Sequence, residues 1–328
     1  MAPEDADEGR AIYVLSPDIP TPTGGIKVLY RHVDILVSKG YRASIVHQQP
    51  GFRCTWFENT TPVTYMPFVR FAPGDFLVVP EIYGPELAAA LPGVTKVIYN
   101  QSGSLTFQGY PMDGSGDMTP YLDPSVVAAF VISDTVAAYV GYVFPGMPLY
   151  RMHWSIDFGT FSYVGASHKD RQICFMPRRH AEEATQVFNI LKFRGALEGF
   201  RVVAIEGMTA RQTADVMGKS MLFFSFGYPE GLPLPPAEAM ARGCVVVGYD
   251  GWGGREYFKR EFCYPIEAGD VLAFAETAER VLAACRAGER SALERGRTAS
   301  KYIREHYSRQ IEEEDVVRAW TELMGEEH

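Results

Sequence analysis

The strongest constraint on the fold is a recurring unit: a short apolar run, a Gly- or Pro-marked turn, a stretch with helical spacing, then another apolar run. Residues 11–17, AIYVLSP, read as a buried strand stopped by proline. Gly24 and Gly25 then open a segment in which Ile26, Leu29, Val33 and Leu36 recur at helical spacing, closed by Gly40. RASIVHQ (42–48) is the next strand. Strand, Gly-rich turn, helix and strand make one βαβ unit, and a chain of such units layers helices on a parallel sheet. The texture returns at FLVVPEIYG (76–84), KVIYNQS (96–102) and AAFVISD (128–134). Ligands of open α/β sheets gather at the carboxyl ends of such strands.

A second series begins near residue 170. RQICFMPRRH (171–180) reads as a strand ending in two arginines, and residues 182–197 as a helix. FRVVAIEGM (200–208) is a strand, residues 209–220 a helix, and MLFFSFG (221–227) and CVVVGYD (244–250) are strands. Residues 273–308 are largely helical, and 309–328 form an acidic amphipathic tail helix. The chain has 328 residues, and single cores stop growing near ~250–300, so two α/β domains in tandem are expected. The expected division is a flexible leader at 1–10, a first Rossmann-like α/β domain at 11–160 and a second at 161–305. Residues 306–328 are left for a helix, and the junction falls within 155–168.

Composition excludes some function classes. The formal net charge of −9 argues against non-specific nucleic-acid binding, which needs a basic face. Five cysteines lack CxxC spacing, and Cys174 and Cys244 sit inside apolar runs, so buried free thiols in a reducing cytosol are expected. The seven histidines show no HxxxH or HxH spacing, so no structural zinc is expected. No apolar run reaches the ~18 residues of a membrane span. Cytoplasmic residence is therefore the expectation, extending to peripheral contact at the inner face of the membrane. The aromatics and arginines of 52–72 suit either acceptor or membrane contact or the packing of an edge strand. The oligomeric state is not legible.

The most informative stretch is PEGLPLPPAEAMARG (229–243). Pro235 and Pro236 fit the first turn of a helix, where a missing N–H matters little. The positive end of that helix favours an anion. Glu230 precedes the turn, in the loop after a buried strand, and Glu238 is expected within it. Ionised carboxylates can accept hydrogen bonds from a vicinal diol, so the pair suits a ligand with hydroxyls on both sides of a phosphate, as in a nucleotide sugar. Each also has a bland reading. The helix dipole alone favours a first-turn glutamate, and a loop glutamate is commonly just solvated.

The segment PEGLPLPPAEAMARGCVVVGYDGWGGREYF resembles the donor-site signature of glycosyltransferase family 4, with the retaining GT-B fold. The match falls at Glu230, Glu238, Ala239, Met240, Ala241, Gly243, Gly253 and Gly254. TPTGGIKVLYRH resembles the N-terminal Gly-rich loop of that family, FVISD…YRMHWSIDFGTF its inter-domain region, and ICFMPRR the first strand of its second domain. The texture is also similar to bacterial transferases that build surface polysaccharides. The resemblance implies two Rossmann-like α/β domains facing across a cleft, with the C-terminal helix crossing back to the first. It implies that Glu238 binds the donor ribose and that Glu230 lies near the transferred sugar. Backbone amides around Gly231, Leu232 and Leu234 would meet sugar and diphosphate. Arg178, with Arg179 in support, would neutralise the diphosphate. Gly24 and Gly25 would let backbone approach phosphate or acceptor, and Asn100 and Gln101 would contact sugar or acceptor, with His32 and His47 as alternatives. His32 also reads as a surface histidine without a role.

Two positions depart from the pattern. Pro233 stands where the family has glycine, which removes one backbone donor, and Glu183 stands where it often has lysine, which removes a cation. The implied activity is metal-independent, retaining transfer of a hexosyl or deoxyhexosyl group from a nucleoside-diphosphate sugar, with no other cofactor. The acceptor would be a hydroxyl on a glycan, lipid-linked or small molecule. The competing reading is a non-catalytic nucleotide- or glycan-binding member of the same fold.

Overall fold

The computed structural model describes residues 10–89, 91–116 and 118–325. The expected leader therefore lies almost wholly outside the described residues.

The chain divides into two compact units. One comprises the residues up to Ile132, Val136–Met152 and the chain from Glu313 onward; the other comprises Ser133–Thr135 and His153–Glu312. In the first unit the elements run β1 (Ala11–Leu15), α1 (Gly24–Ser38), β2 (Arg42–His47), β3 (Val63–Tyr65), β4 (Phe76–Pro80), β5 (Thr95–Asn100), β6 (Val126–Val131), α2 (Asp134–Val143) and β7 (Leu149–Arg151). The strands form a seven-stranded sheet in the order β3-β2-β1-β4-β5-β6-β7, and every pairing is parallel. FLVVP of β4 is buried along its whole length, the mark of a central strand covered on both faces. β3 lies at the sheet edge, so part of the 52–72 segment packs as an edge strand.

The second unit contains β8 (Asp170–Phe175), α3 (Ala181–Phe193), β9 (Arg201–Ala204), α4 (Ala210–Lys219), β10 (Ser220–Ser225), α5 (Leu234–Ala241), β11 (Val245–Tyr249), β12 (Tyr264–Ile266), α6 (Val271–Ala287) and α7 (Arg290–His306). Its sheet is five-stranded and parallel, in the order β12-β11-β10-β8-β9. Local chemistry sets the helix starts. Thr209 and Gln212 form a reciprocal capping box on α4, and Asp270 caps α6 through the Ala273 amide. The core centres on Phe224, Phe226, Tyr249 and Phe274, with the Phe226 and Phe274 rings stacked at 4.6 Å.

The last helix, α8 (Arg309–Met324), belongs to the second unit through Glu312 and to the first from Glu313. Its Trp320 is fully buried in the first unit against Phe76 and Phe130. The Trp320 indole N–H donates to Nε2 of His32 at 2.8 Å. His32 is thus not a surface residue: it is 2% exposed and anchors the tail helix. Burial pulls its imidazole down to about 3, so it stays neutral.

Both sheets reverse strand order beside their first strand: between β1 and β4 in the first unit, and between β8 and β10 in the second. The loops leaving the two reversing strands diverge there and leave a crevice at their carboxyl ends. The loop after β1 carries Asp18 and leads into Gly24, the first residue of α1; Glu81 directly follows β4, and the loops after β8 and β10 carry Arg178, Arg179 and Glu230.

Candidate functional site

In the second unit, the loop after β10 is held from two sides. On one side, Arg179 Nε lies 3.0 Å from Glu230 Oε1, and its Nη1 donates to the Pro229 carbonyl at 2.9 Å. On the other side, the Glu230 amide donates to Gly251 O at 2.9 Å and the Gly253 amide to Glu230 O at 3.1 Å. A Cβ on Gly253 would overlap the Gly231 carbonyl oxygen. The Gly-Gly turn is therefore required for close backbone approach to the loop that carries Glu230. Trp252, within the turn, is 42% exposed.

Burial raises the Glu230 carboxyl above its ordinary range, while Arg179, then Arg178 and His180, pull it back. Arg179 makes the direct contact, whereas Arg178 is exposed and acts on Glu230 through its field. The two arginines thus divide: one is in direct contact with Glu230, and the other acts on that carboxylate only through its field.

α5 begins at Leu234 with Pro233 as its cap residue. Pro233, Pro235 and Pro236 carry no amide hydrogen, so the donors near the helix start are the amides of Gly231, Leu232, Leu234 and Ala237. Gly231 and Leu232 are buried. The expectation for Glu238 needs correction: it is the fifth residue of α5, half-buried and one turn in, and the first turn holds no acid. Two prolines lengthen the helix start ahead of it, so the dipole does not explain this glutamate, because the effect fades within the first turn.

Glu183 is turned inward. Its Oε1 accepts from the Tyr228 hydroxyl at 2.9 Å and lies 3.5 Å from His180 Nδ1. The His180 ring stacks on Tyr228 at 4.0 Å, and its Nε2 meets the Tyr228 carbonyl at 2.5 Å. A carbonyl only accepts, so Nε2 carries the hydrogen. Burial and then Glu183 push the Tyr249 phenol up. Glu183, His180 and Arg179 together tie the start of α3 to the turn that carries Glu230.

In the first unit, Gln101 Nε2 donates to Gly25 O at 3.2 Å, and a Cβ on Gly25 would lie 3.0 Å from Gln101 Oε1. Nothing crowds Gly24. Asn100 is fully buried. Its Nδ2 donates to Thr106 Oγ1 at 2.8 Å and to Tyr121 OH at 2.7 Å, while its Oδ1 is buried without a partner among the described residues. His47 is buried too: Nδ1 lies 2.7 Å from Asp18 Oδ1 and Nε2 2.7 Å from Tyr30 OH. The Cys54 amide donates to the Tyr30 oxygen at 3.2 Å. With His47 neutral, a single direction satisfies the row: Tyr30 O–H donates to Nε2, and Nδ1–H to the Asp18 carboxylate.

Glu81, directly after β4, is absent from the sequence reading. It is 6% exposed and accepts the backbone N–H groups of Gln101 and Ser102. Burial raises its carboxyl to about 7. The signal was the glutamate that ends the run FLVVPE, an ionisable group at the carboxyl end of a fully apolar strand.

Among the described residues, no group of three or more His, Cys, Asp or Glu could hold a metal ion, and no helix is long and apolar enough to cross a membrane.

No protein-family model matches the chain. It is 26% identical over 244 residues to an alpha-1,6-glucosyltransferase of Actinobacillus pleuropneumoniae serotype 7 (strain AP76), covering 70% of each chain. Sucrose-phosphate synthase from Thermosynechococcus elongatus superposes with a TM-score of 0.68 at 12% identity, over 97% of this chain and 100% of that one. HepE from Anabaena, solved with UDP, gives a TM-score of 0.64 at 10% identity, over 96% and 100%. The fold is that of the GT-B glycosyltransferases.

Proposed function

We propose that the chain is a retaining, metal-independent glycosyltransferase that moves a sugar from a nucleoside-diphosphate sugar to an acceptor hydroxyl in bacterial glycan or glycoconjugate biosynthesis. The observation that carries the proposal is the donor loop: Glu230, at the carboxyl end of β10, is clamped by Arg179 beside a second, exposed arginine. The similarity to the α-1,6-glucosyltransferase supports it.

In this reading Glu238 accepts hydrogen bonds from the donor ribose. Gly231, Leu232 and Leu234 present backbone amides to sugar and diphosphate. As the glycosidic bond breaks, charge grows on the leaving diphosphate. Arg178 stabilises it, with a contribution of ~3–4 kcal/mol typical of an oriented donor aimed at developing charge. Glu230, kept ionised by Arg179, orients the sugar hydroxyls and faces the cationic character that develops on the ring. Gly24, Gly25, Asn100 and Gln101 are the acceptor-side residues of the first unit.

The test is thermal stability against UDP, GDP, dTDP, ADP and CMP. A ligand at 100 times its Kd adds about 2.7 kcal/mol to the native state. Stabilisation by one nucleotide, lost in Glu238→Ala, supports the donor site. Turnover with the matching sugar nucleotide separates the enzyme from a non-catalytic binding protein. No response to any nucleotide counts against the donor site.

A further inference from the structure

The segment that delivers Glu230 has little backbone support of its own. Pro229 carries no amide hydrogen, and among the described residues no backbone–backbone hydrogen bond reaches Tyr228 or Pro229. Their two carbonyls are held instead by side chains from the loop after β8. His180 Nε2 donates to Tyr228 O at 2.5 Å, and Arg179 Nη1 to Pro229 O at 2.9 Å. Arg179 Nε then reaches the Glu230 carboxylate itself. Two adjacent residues thus grip three consecutive ones, and the grip ends on the carboxylate.

The His180 side chain does not serve its own helix. It is the cap residue of α3, yet it makes no capping hydrogen bond, which Ser, Thr, Asp or Asn would supply at that place. Its backbone is left-handed, at φ 53° and ψ 45°, a conformation uncommon for residues other than glycine. Backbone held this way clusters at functional sites. The contacts the imidazole does make are directed at the loop after β10. It stacks on the Tyr228 ring at 4.0 Å, with the planes 3° apart. Its Nδ1 lies 3.5 Å from the Glu183 oxygen that accepts from the Tyr228 hydroxyl. Tyr228 is therefore held at its carbonyl, its ring face and its hydroxyl, the first two by His180.

We infer that His180 is a positioning residue for the transfer step: through the carbonyl and ring of Tyr228 it sets the place of the Glu230 carboxylate against the sugar, so its loss slows turnover of the bound nucleotide sugar and leaves nucleotide binding intact. This deepens the transferase reading and rests on it. In that reading Glu238 meets the ribose and Arg178 the diphosphate, and neither belongs to the segment that His180 holds. Binding and turnover therefore separate, because a reacting group displaced by about 1 Å can lose roughly 100-fold in rate while the rest of the ligand stays bound.

The experiment compares the full native chain with His180→Asn and His180→Gln. Asparagine tolerates the left-handed backbone, but its amide is too short to stand where Nε2 does. Glutamine carries an N–H at the ε position. The readouts are release of nucleoside diphosphate from UDP-, GDP-, dTDP- and ADP-glucose, thermal stabilisation by the matching nucleoside diphosphate, and the melting temperature without ligand. In His180→Asn kcat is expected to fall roughly 10-fold to 100-fold, with KM and nucleotide stabilisation held within about twofold. His180→Gln is expected to recover most of the loss. A native kcat in His180→Asn, a loss carried by KM, or equal losses in the two variants would overturn the assignment. Collapse of the fold in His180→Asn would make the residue structural and overturn it as well. A native chain that turns over none of the four sugar nucleotides removes the transferase reading, and this role with it. If the native chain turns one over and His180→Asn matches it, only the role of His180 fails.

Discussion

Replacing Glu81 with glutamine removes a buried titration while keeping an acceptor for the amides of Gln101 and Ser102. The carboxyl is raised from an ordinary 4.5 to about 7, with burial as the cause. Between those values the native chain holds a proton that the unfolded chain has released. Stability from this group is therefore full below pH 4.5 and is lost as pH rises through 7. At 1.36 kcal/mol per pH unit the gap amounts to about 3 kcal/mol. Glu81→Gln does not titrate, so its stability relative to the native chain should improve by most of that amount between pH 5 and pH 8. The assay is urea unfolding at fixed ionic strength across that window, followed by the fluorescence of the chain's four tryptophans. A difference between the two proteins that stays constant with pH would refute the assignment of a buried, proton-holding carboxyl. So would a native stability that rises with pH while the variant's stays flat.

Four other outcomes are expected. Arg178→Ala should lower kcat by roughly 100-fold to 1000-fold and leave the melting temperature unchanged, because the side chain is exposed; steady-state kinetics and calorimetry check both. Arg179→Ala removes the contact that most lowers the Glu230 carboxyl, so the acid limb of the pH–rate profile should move to higher pH. Gly253→Ala forces the turn away from Gly231 and should destabilise the chain by about 2 kcal/mol or more, read as a lower urea midpoint. Trp320→Ala leaves a cavity beside His32 and should cost about 3–5 kcal/mol, measured by the same unfolding.

Much of the fold was legible because the sequence punctuates it. Apolar runs such as FLVVP, which ends in Pro, and CVVVGY, which precedes the Asp-Gly turn, mark strands, and the double glycine marks the start of α1. The short edge elements were not legible: β7, LYR, has too few residues for periodicity to register and is a strand only because β6 pairs with it. The reading of His32 failed for a related reason. Helical spacing assigns a face but not what covers it, and the cover comes from a tryptophan 288 positions along the chain. Glu238 was placed a turn too early because three prolines within four residues blur where helical hydrogen bonding begins. Glu81 was passed over because the run FLVVPE shows a glutamate at a strand end but not its burial, which depends on the chain that closes over it.

The paired arginines show what geometry adds to such a reading. From the sequence, Arg178 and Arg179 are equivalent cations at one strand end. In the fold, adjacent residues leaving a strand diverge, and Arg179 turns to the Glu230 carboxylate and the Pro229 carbonyl. Partial burial already raises the Glu230 carboxyl, and loss of the Arg179 cation would raise it further. A protonated Glu230 would carry no charge to set against a cationic sugar. In the proposed transferase, Arg179 would then be committed to Glu230, which leaves Arg178 to meet the charge of a ligand. Glu183 fits the same scheme. A lysine at that position would add a cation to the anion site. The glutamate instead holds Tyr228, and through it the turn bearing Glu230. In the proposed transferase, a glutamate rather than a lysine at this position would leave most of the demand for neutralising a diphosphate on one arginine.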